Sequence, residues 1–235
     1  MEIVVPLAGP DFELANGTTK AELLMGDDPL LVRALTTRSW WQRGEVSDRD
    51  LVFVLKNSAL SRAFVERSLL RWFPEARTVF LSHPTQGATF SALAGVALCE
   101  PTRTLCIDLA DILYTDYFEP EASFAADPAL GGVVPTFPSD WPYYSYVMLA
   151  DDGRAIRTAE KEVISTHASA GTYFFRDSSV FTTAVGHAVR KREQQTFNDS
   201  YFVCPLFNGV IASDLVVRTT HVFDIIDVKK DVVLR

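Results

Sequence analysis

Two acidic residues close the apolar run Leu105-Cys106-Ile107-Asp108-Leu109-Ala110-Asp111. A carboxylate at the end of a central strand is costly unless it meets water, a cation or a partner. Magnesium bound with a nucleotide takes one or two carboxylates plus phosphate oxygens. Asp111, where the strand surfaces, is therefore the first metal candidate. Asp108 is the second; three residues earlier, it faces the other side of an extended strand, so the two do not both ligate from the strand itself. The alternative for either is a turn or helix-cap role.

A second constellation lies in Met1–Leu31. The run Ile3-Val4-Val5-Pro6-Leu7 breaks at Ala8-Gly9-Pro10 into a polar loop with Asn16-Gly17-Thr18-Thr19, and Lys20 follows. Backbone N–H groups approach an anion closely only where side chains are absent, and a lysine adds a point charge. The pattern reads as a phosphate cradle or as a first strand with a surface loop. Lys161, after Glu160 in Thr158–Glu162, is either a solvated lysine or a cation of a site. Asn208, in Pro205-Leu206-Phe207-Asn208-Gly209, is either a turn former or a polar group in a site. His83, His167, His187 and His221 share no spacing, and there is no GxSxG segment, so none is assigned to catalysis.

The elements that must position these residues alternate. Ile3–Leu7, Asp50–Leu55, Thr78–Leu81 and Thr104–Leu109 read as buried strands. Leu30–Leu35, Ser61–Phe73 (ended by Pro74) and an alanine-rich stretch after Pro84–Thr89 read as helices. This alternation predicts βαβ units and a mainly parallel central sheet flanked by helices. Ligands of such sheets sit beyond the carboxyl ends of strands, where Gly9, the Thr85–Ala88 loop and Asp111 all fall. After about residue 130 the texture becomes antiparallel. Leu130–Phe137, Tyr144–Leu149, Ala155–Lys161 and Ala170–Phe175 read as strands, Val180–Lys191 as a helix, and His221–Ile226 as a last strand. One mixed α/β domain over residues 1–235 is the simplest organisation.

Composition narrows the function classes. The 235 residues are 48% hydrophobic and 22% charged, enough for a sizeable core. A net charge of −8 argues against general nucleic-acid binding, which needs clustered Lys and Arg. Three cysteines in apolar settings, Cys99, Cys106 and Cys204, predict buried thiols in a reducing compartment. With no secretory signal pattern and no run long enough to span a bilayer, the expected location is the cytoplasm, without a membrane partner.

The ordered motifs resemble those of sugar-phosphate nucleotidyltransferases, α/β enzymes with a GT-A-like fold. PLAG (6–9), Lys20 before ELL and GDDPLL (26–31) resemble their N-terminal signature. PTQGATFSAL (84–93) resembles the base-contacting loop, and LCIDLADI (105–112) the strand with the metal aspartate. DDGRAIRTAEKEVIS (151–165) resembles the Glu-Lys hairpin. ASAGTYFF (168–175) and YFVCPLFNGVI (201–211) resemble the segments that follow. The resemblance implies nucleoside monophosphate transfer from an NTP to a phosphorylated acceptor, with Mg²⁺ and pyrophosphate release, for instance in polysaccharide biosynthesis. It implies a nucleotide-binding half (1–115) and an acceptor-binding half (116–235). By the same resemblance Leu7, Ala8, Gly9, Gln86 and Gly87 hold the nucleotide, and Lys20 neutralises phosphate. Asp111 binds Mg²⁺, Glu160, Lys161 and Gly171 meet the acceptor, and Asn208 stands near the metal.

The first loop departs from that family. Relatives carry a second glycine and an arginine soon after the first glycine, whereas this chain reads Gly9-Pro10-Asp11-Phe12-Glu13. Pro10 removes an N–H donor, and Asp11 and Glu13 bring negative charge. Two alternatives follow: a relative that binds without turnover, and a glycosyltransferase of similar fold. The Asp108/Asp111 spacing is not the Asp-x-Asp of such glycosyltransferases.

Overall fold

A computed structural model describes residues 1–228. Its first half supplies β1 (Glu2–Pro6), the small hairpin β2 (Leu24–Met25) and β3 (Asp28–Pro29), then β4 (Leu51–Lys56), β5 (Arg77–Leu81), β6 (Leu105–Asp108) and β7 (Ile112–Thr115). The second half supplies β8 (Leu130–Pro138), β9 (Ser145–Leu149), β10 (Ala155–Glu160), β11 (His167–Ser169) and β12 (Thr172–Phe175). The short pair β13 (Thr196–Phe197) and β14 (Ser200–Tyr201) follows, then β15 (Val216–His221) and β16 (Phe223–Asp227).

One mixed sheet spans both halves in the order β10-β9-β11-β8-β12-β6-β1-β4-β5, with β15 added beside β8. The block β6-β1-β4-β5 is parallel. From β12 outward the neighbours along this order run antiparallel, as the change of texture predicted, while the added β15 runs parallel to β8.

The parallel strands are written as continuous apolar runs because both faces are covered. Val4, Val52, Val54 and Ile107 point to one core layer, and Ile3, Val5, Phe53 and Cys106 to the other. Each such fully buried side chain contributes about 1.5–3 kcal/mol. The helix Ala88–Val96 approaches so closely that a Cβ on Gly95 would lie 2.6 Å from Val4 Cγ1. The small residues of that helix are thus a packing requirement. The three cysteines are free and buried.

The C-terminal end differs from the expected single strand His221–Ile226. The chain leaves the main sheet at the buried Val222. β16 then pairs with β7 in a separate antiparallel ladder that sets Asp227 opposite Ile112. Among the described residues no helix is long and apolar enough to cross a membrane.

Candidate active site

Two cavities, of about 670 and about 600 Å³, open at the carboxyl edge of the parallel strands. They share part of their walls, including Asp111 and Lys161. The first is bordered by Leu7, Ala8 and Gly9 after β1, by Lys20, by Lys56 at the end of β4, and by Gly87. The second is bordered by Glu160, Gly171, Tyr173, Asp227 and the aromatic segment Trp141–Tyr144.

The loop after β1 is held from below. Phe12 is buried and meets the Phe64 ring edge-on at 5.6 Å between centroids. The Lys20 N–H donates to the Phe12 carbonyl at 2.8 Å. Glu22 anchors the far end: its carboxylate accepts the Thr19 N–H and hydroxyl at 2.9 Å, two bonds from Arg67 and one from Ser68. Burial raises the Glu22 pKa, but these donors outweigh it and bring it down to about 2.

The two loop carboxylates part company. Glu13 turns away and accepts the hydroxyls of Ser58 and Ser61, so these bonds, Ser58 first, lower its pKa against the opposing effect of burial. Asp11 lines the first cavity and places Oδ2 at 3.3 Å from Lys20 Nζ.

Gly87 begins the helix Ala88–Val96 with φ +102°, and a Cβ there would strike the Tyr201 carbonyl at 2.3 Å. Only glycine lets that loop lie against β14. Gln86 is not brought to the cavity wall; its side chain is exposed and its carbonyl accepts the Tyr201 N–H.

Lys161 follows β10 in the left-handed region (φ 52°), with Nζ 4.9 Å from the Phe197 ring centroid and 5.3 Å from that of Phe202. Aromatic faces hold an ammonium group by cation–π attraction while leaving its donors available. Glu160 accepts the Ser145 hydroxyl. Gly171 lies against Asp111, whose Oδ1 would be 3.3 Å from a Cβ at that position.

Two more expected site residues lie elsewhere. Asp108 is fully buried and borders neither cavity; it pairs with Arg38, Nε to Oδ2 at 3.1 Å. Burial opposes the Arg38 charge, but Asp108, with Tyr114 and Asp116, offsets this and raises its pKa. The alternation of the strand sends Asp108 into the core and lets Asp111, beyond the strand, reach the edge. Asn208 is also off the walls. Its amide accepts the Thr158 N–H at 2.8 Å and donates to the Thr158 carbonyl at 2.9 Å, pinning the short helix Phe207–Ile211 to β10.

Besides Glu160, the second wall carries a further carboxylate, Asp227, which accepts the Tyr144 hydroxyl at 2.8 Å. Its backbone neighbour Val228 donates to the Asp111 carbonyl at 3.2 Å. An acidic residue ending an apolar run was a readable signal for Asp227, as for Asp111, but its partner strand was not readable. Lys56, closing the apolar strand β4, was open to the same reasoning.

Comparison with known proteins bears on the fold. No protein-family model matches the chain, and no curated protein matches it significantly. Solved structures do match. A nucleoside-diphosphate-sugar pyrophosphorylase from Vibrio cholerae RC9 has TM-score 0.77 at 18% identity, over 94% of this chain and 92% of that one. A Bacillus anthracis protein assigned as a glucose-1-phosphate thymidylyltransferase, in complex with sucrose, has TM-score 0.72 at 15% identity, over 100% and 92%. The inositol-1-phosphate CTP transferase from T. maritima has TM-score 0.65 at 12% identity, over 96% and 86%. The chain thus has a divergent sugar-phosphate nucleotidyltransferase-like fold.

Proposed function

We propose that this protein transfers a nucleoside monophosphate from an NTP to a phosphorylated small-molecule acceptor and releases pyrophosphate. The observation that carries the reading is the shared wall: Asp111 and Lys161 border both cavities, so two phosphorylated ligands would meet beside them. An acceptor phosphate oxygen attacks the α-phosphorus, the new P–O bond forms, and the bond to the bridging oxygen of the β-phosphate breaks. Such transfer needs positioning and charge neutralisation more than covalent help from the protein.

Lys20 and Lys56 would neutralise the triphosphate in the first cavity, and Lys161 the acceptor phosphate at the junction. The hydroxyls of Ser145 and Tyr173, with Glu160, give the second cavity hydrogen-bonding groups for a polyhydroxylated acceptor. The donor set suits magnesium: Asp111 and Asp227 would supply hard carboxylate oxygens from one wall. Among the described residues no group of three or more His, Cys, Asp or Glu gathers to hold an ion by protein ligands alone, so phosphate oxygens and water would complete the shell. Bound there, Mg²⁺ would supply positive charge to the α-phosphate.

Pyrophosphate release with a panel of NTPs and sugar or polyol phosphates, with Mg²⁺, tests the reading. Turnover lost in Lys161→Ala is the expected result. No turnover with any pair, from protein that binds NTP, overturns it.

A second reading, nucleotide binding without turnover, is supported by the first loop. Pro10 offers no N–H, and Asp11 already faces Lys20. Calorimetry showing NTP binding, together with turnover that disappears in Lys20→Ala, would rule this reading out.

A further inference from the structure

Arg38 and Asp108 are buried completely, and the proposed chemistry uses neither. Their charges are desolvated at a cost that an apolar pair of similar size would avoid. Their other contacts concern one short segment. Asp108 Oδ1 accepts the Ala110 N–H at 2.8 Å, and Arg38 Nη2 donates to the Ile112 carbonyl at 3.2 Å. The residue between those two is Asp111. Ala110 lies in the left-handed region (φ 52°), a conformation an alanine holds only when its surroundings enforce it. The Arg38 guanidinium in turn rests 3.6 Å from the centroid of the Tyr114 ring, and the Tyr114 hydroxyl donates to Thr172, next to Gly171.

We propose that Arg38 and Asp108 are positioning residues: the buried pair grips the backbone on both sides of Asp111 and so sets where its carboxylate stands at the junction of the two cavities. This rests on the reading of Asp111 as a metal carboxylate, and the test keeps the two apart. The pair acts through the turn and does not touch substrate.

The test uses the full chain and three variants, Arg38→Met/Asp108→Leu, Arg38→Lys and Asp111→Asn. Mn²⁺ affinity is measured by the free-ion electron paramagnetic resonance signal, hydrogen exchange at the Ala110 amide by NMR, and folding by thermal unfolding. Replacing both charges by apolar groups avoids leaving one buried ion without its counter-ion, so the double variant is expected to fold, with a melting temperature lowered by the loss of the bonds to the Ala110 N–H and the Ile112 carbonyl. Its Mn²⁺ affinity is expected to fall about 10- to 100-fold, the range for groups that orient a metal ligand, with Ala110 losing protection. Asp111→Asn is expected to lose Mn²⁺ as well. Arg38→Lys keeps a charge opposite Asp108 without the planar fork that serves Asp108 and Ile112 together, and is expected to weaken Mn²⁺ about 10-fold.

A folded double variant with parental Mn²⁺ affinity and Ala110 protection overturns the proposal. Should the double variant not fold, the same result in Arg38→Lys overturns it. Should the parent bind no Mn²⁺ either alone or together with an NTP, whose phosphates would complete the shell, the metal reading of Asp111 falls. Exchange at Ala110 then still decides the clamp: protection lost in the variants supports it, and protection retained overturns it.

Discussion

Lys20 Nζ stands 3.3 Å from Asp11 Oδ2 on the wall of the first cavity, so a cation placed for phosphate already faces a carboxylate of its own loop. Asp11 is about half exposed, and such partly solvated pairs are worth about 0.2–1 kcal/mol. Removing the competitor should therefore tighten binding modestly. We expect Asp11→Asn to lower the Kd for an NTP about two- to fivefold at low salt, with the gain shrinking as salt screens the pair. Lys20→Ala should weaken binding. Titration calorimetry at two ionic strengths measures both, and an unchanged Kd in Asp11→Asn would show that the pair does not compete with phosphate.

Asp111 and Asp227 come from distant parts of the chain and meet on one wall through the β7–β16 ladder. If both serve one Mg²⁺, neither can be neutralised without losing transition-state charge stabilisation. Asp111→Asn and Asp227→Asn should each lower kcat/KM at least about 100-fold at saturating Mg²⁺, with little change in unfolding temperature. Steady-state pyrophosphate release reads the outcome. An Asp227→Asn enzyme with parental kcat/KM would leave Asp111 as the only carboxylate in that role.

Lys161 holds a left-handed backbone that costs a residue with a side chain about 1–2 kcal/mol. Strain of this kind persists where a side chain must be aimed. Lys161→Gly should remove the strain and the ammonium group together. It should be at least as stable as Lys161→Ala in thermal unfolding, and both should lose acceptor turnover. A glycine variant clearly less stable than the alanine variant would contradict the strain argument.

Glu22 carries a pH signature. Its folded pKa of about 2 lies below the ordinary value of 4.5, so its contribution is present above about pH 4.5 and is lost as the pH falls from there towards 2. Because Arg67 is partly exposed, the contribution at pH 7 is expected to be about 1–2 kcal/mol, less than the shift alone implies. Glu22→Gln should lower the melting temperature by a few degrees at pH 7 and approach the parent only as the pH falls to about 2. Parallel curves over that range would remove Glu22 as the acid-sensitive anchor of Lys20.

Much of this was legible without coordinates. The parallel strands announce themselves because burial on both faces writes unbroken apolar runs such as Ile3–Val5 and Leu51–Leu55. Breaking a run marks a strand end, and in a parallel sheet those ends share an edge. Gly9, Gly87 and Asp111 were for that reason placed together before any contact was seen. Boundaries of helices and strands shifted by a residue or two. The larger difference was at the C-terminal end, where a strand not expected, β15, joins the main sheet before the break at Val222 and the expected strand, now β16, pairs with β7.

Local chemistry is written in the chain: which segments must be buried, where glycines open a loop, and which charged residues close a strand. Those depend on a residue and its near neighbours. Which charges meet is settled only once the chain has folded. Asp108 and Asp111 differ by three positions, yet one is locked to Arg38 in the core and the other faces the cavities. Asn208 was drawn to the backbone of Thr158, and Asp227 borders the second cavity along with Asp111. A carboxylate's role is set by the partner that desolvates or neutralises it, and here each partner lies tens of residues away in the chain.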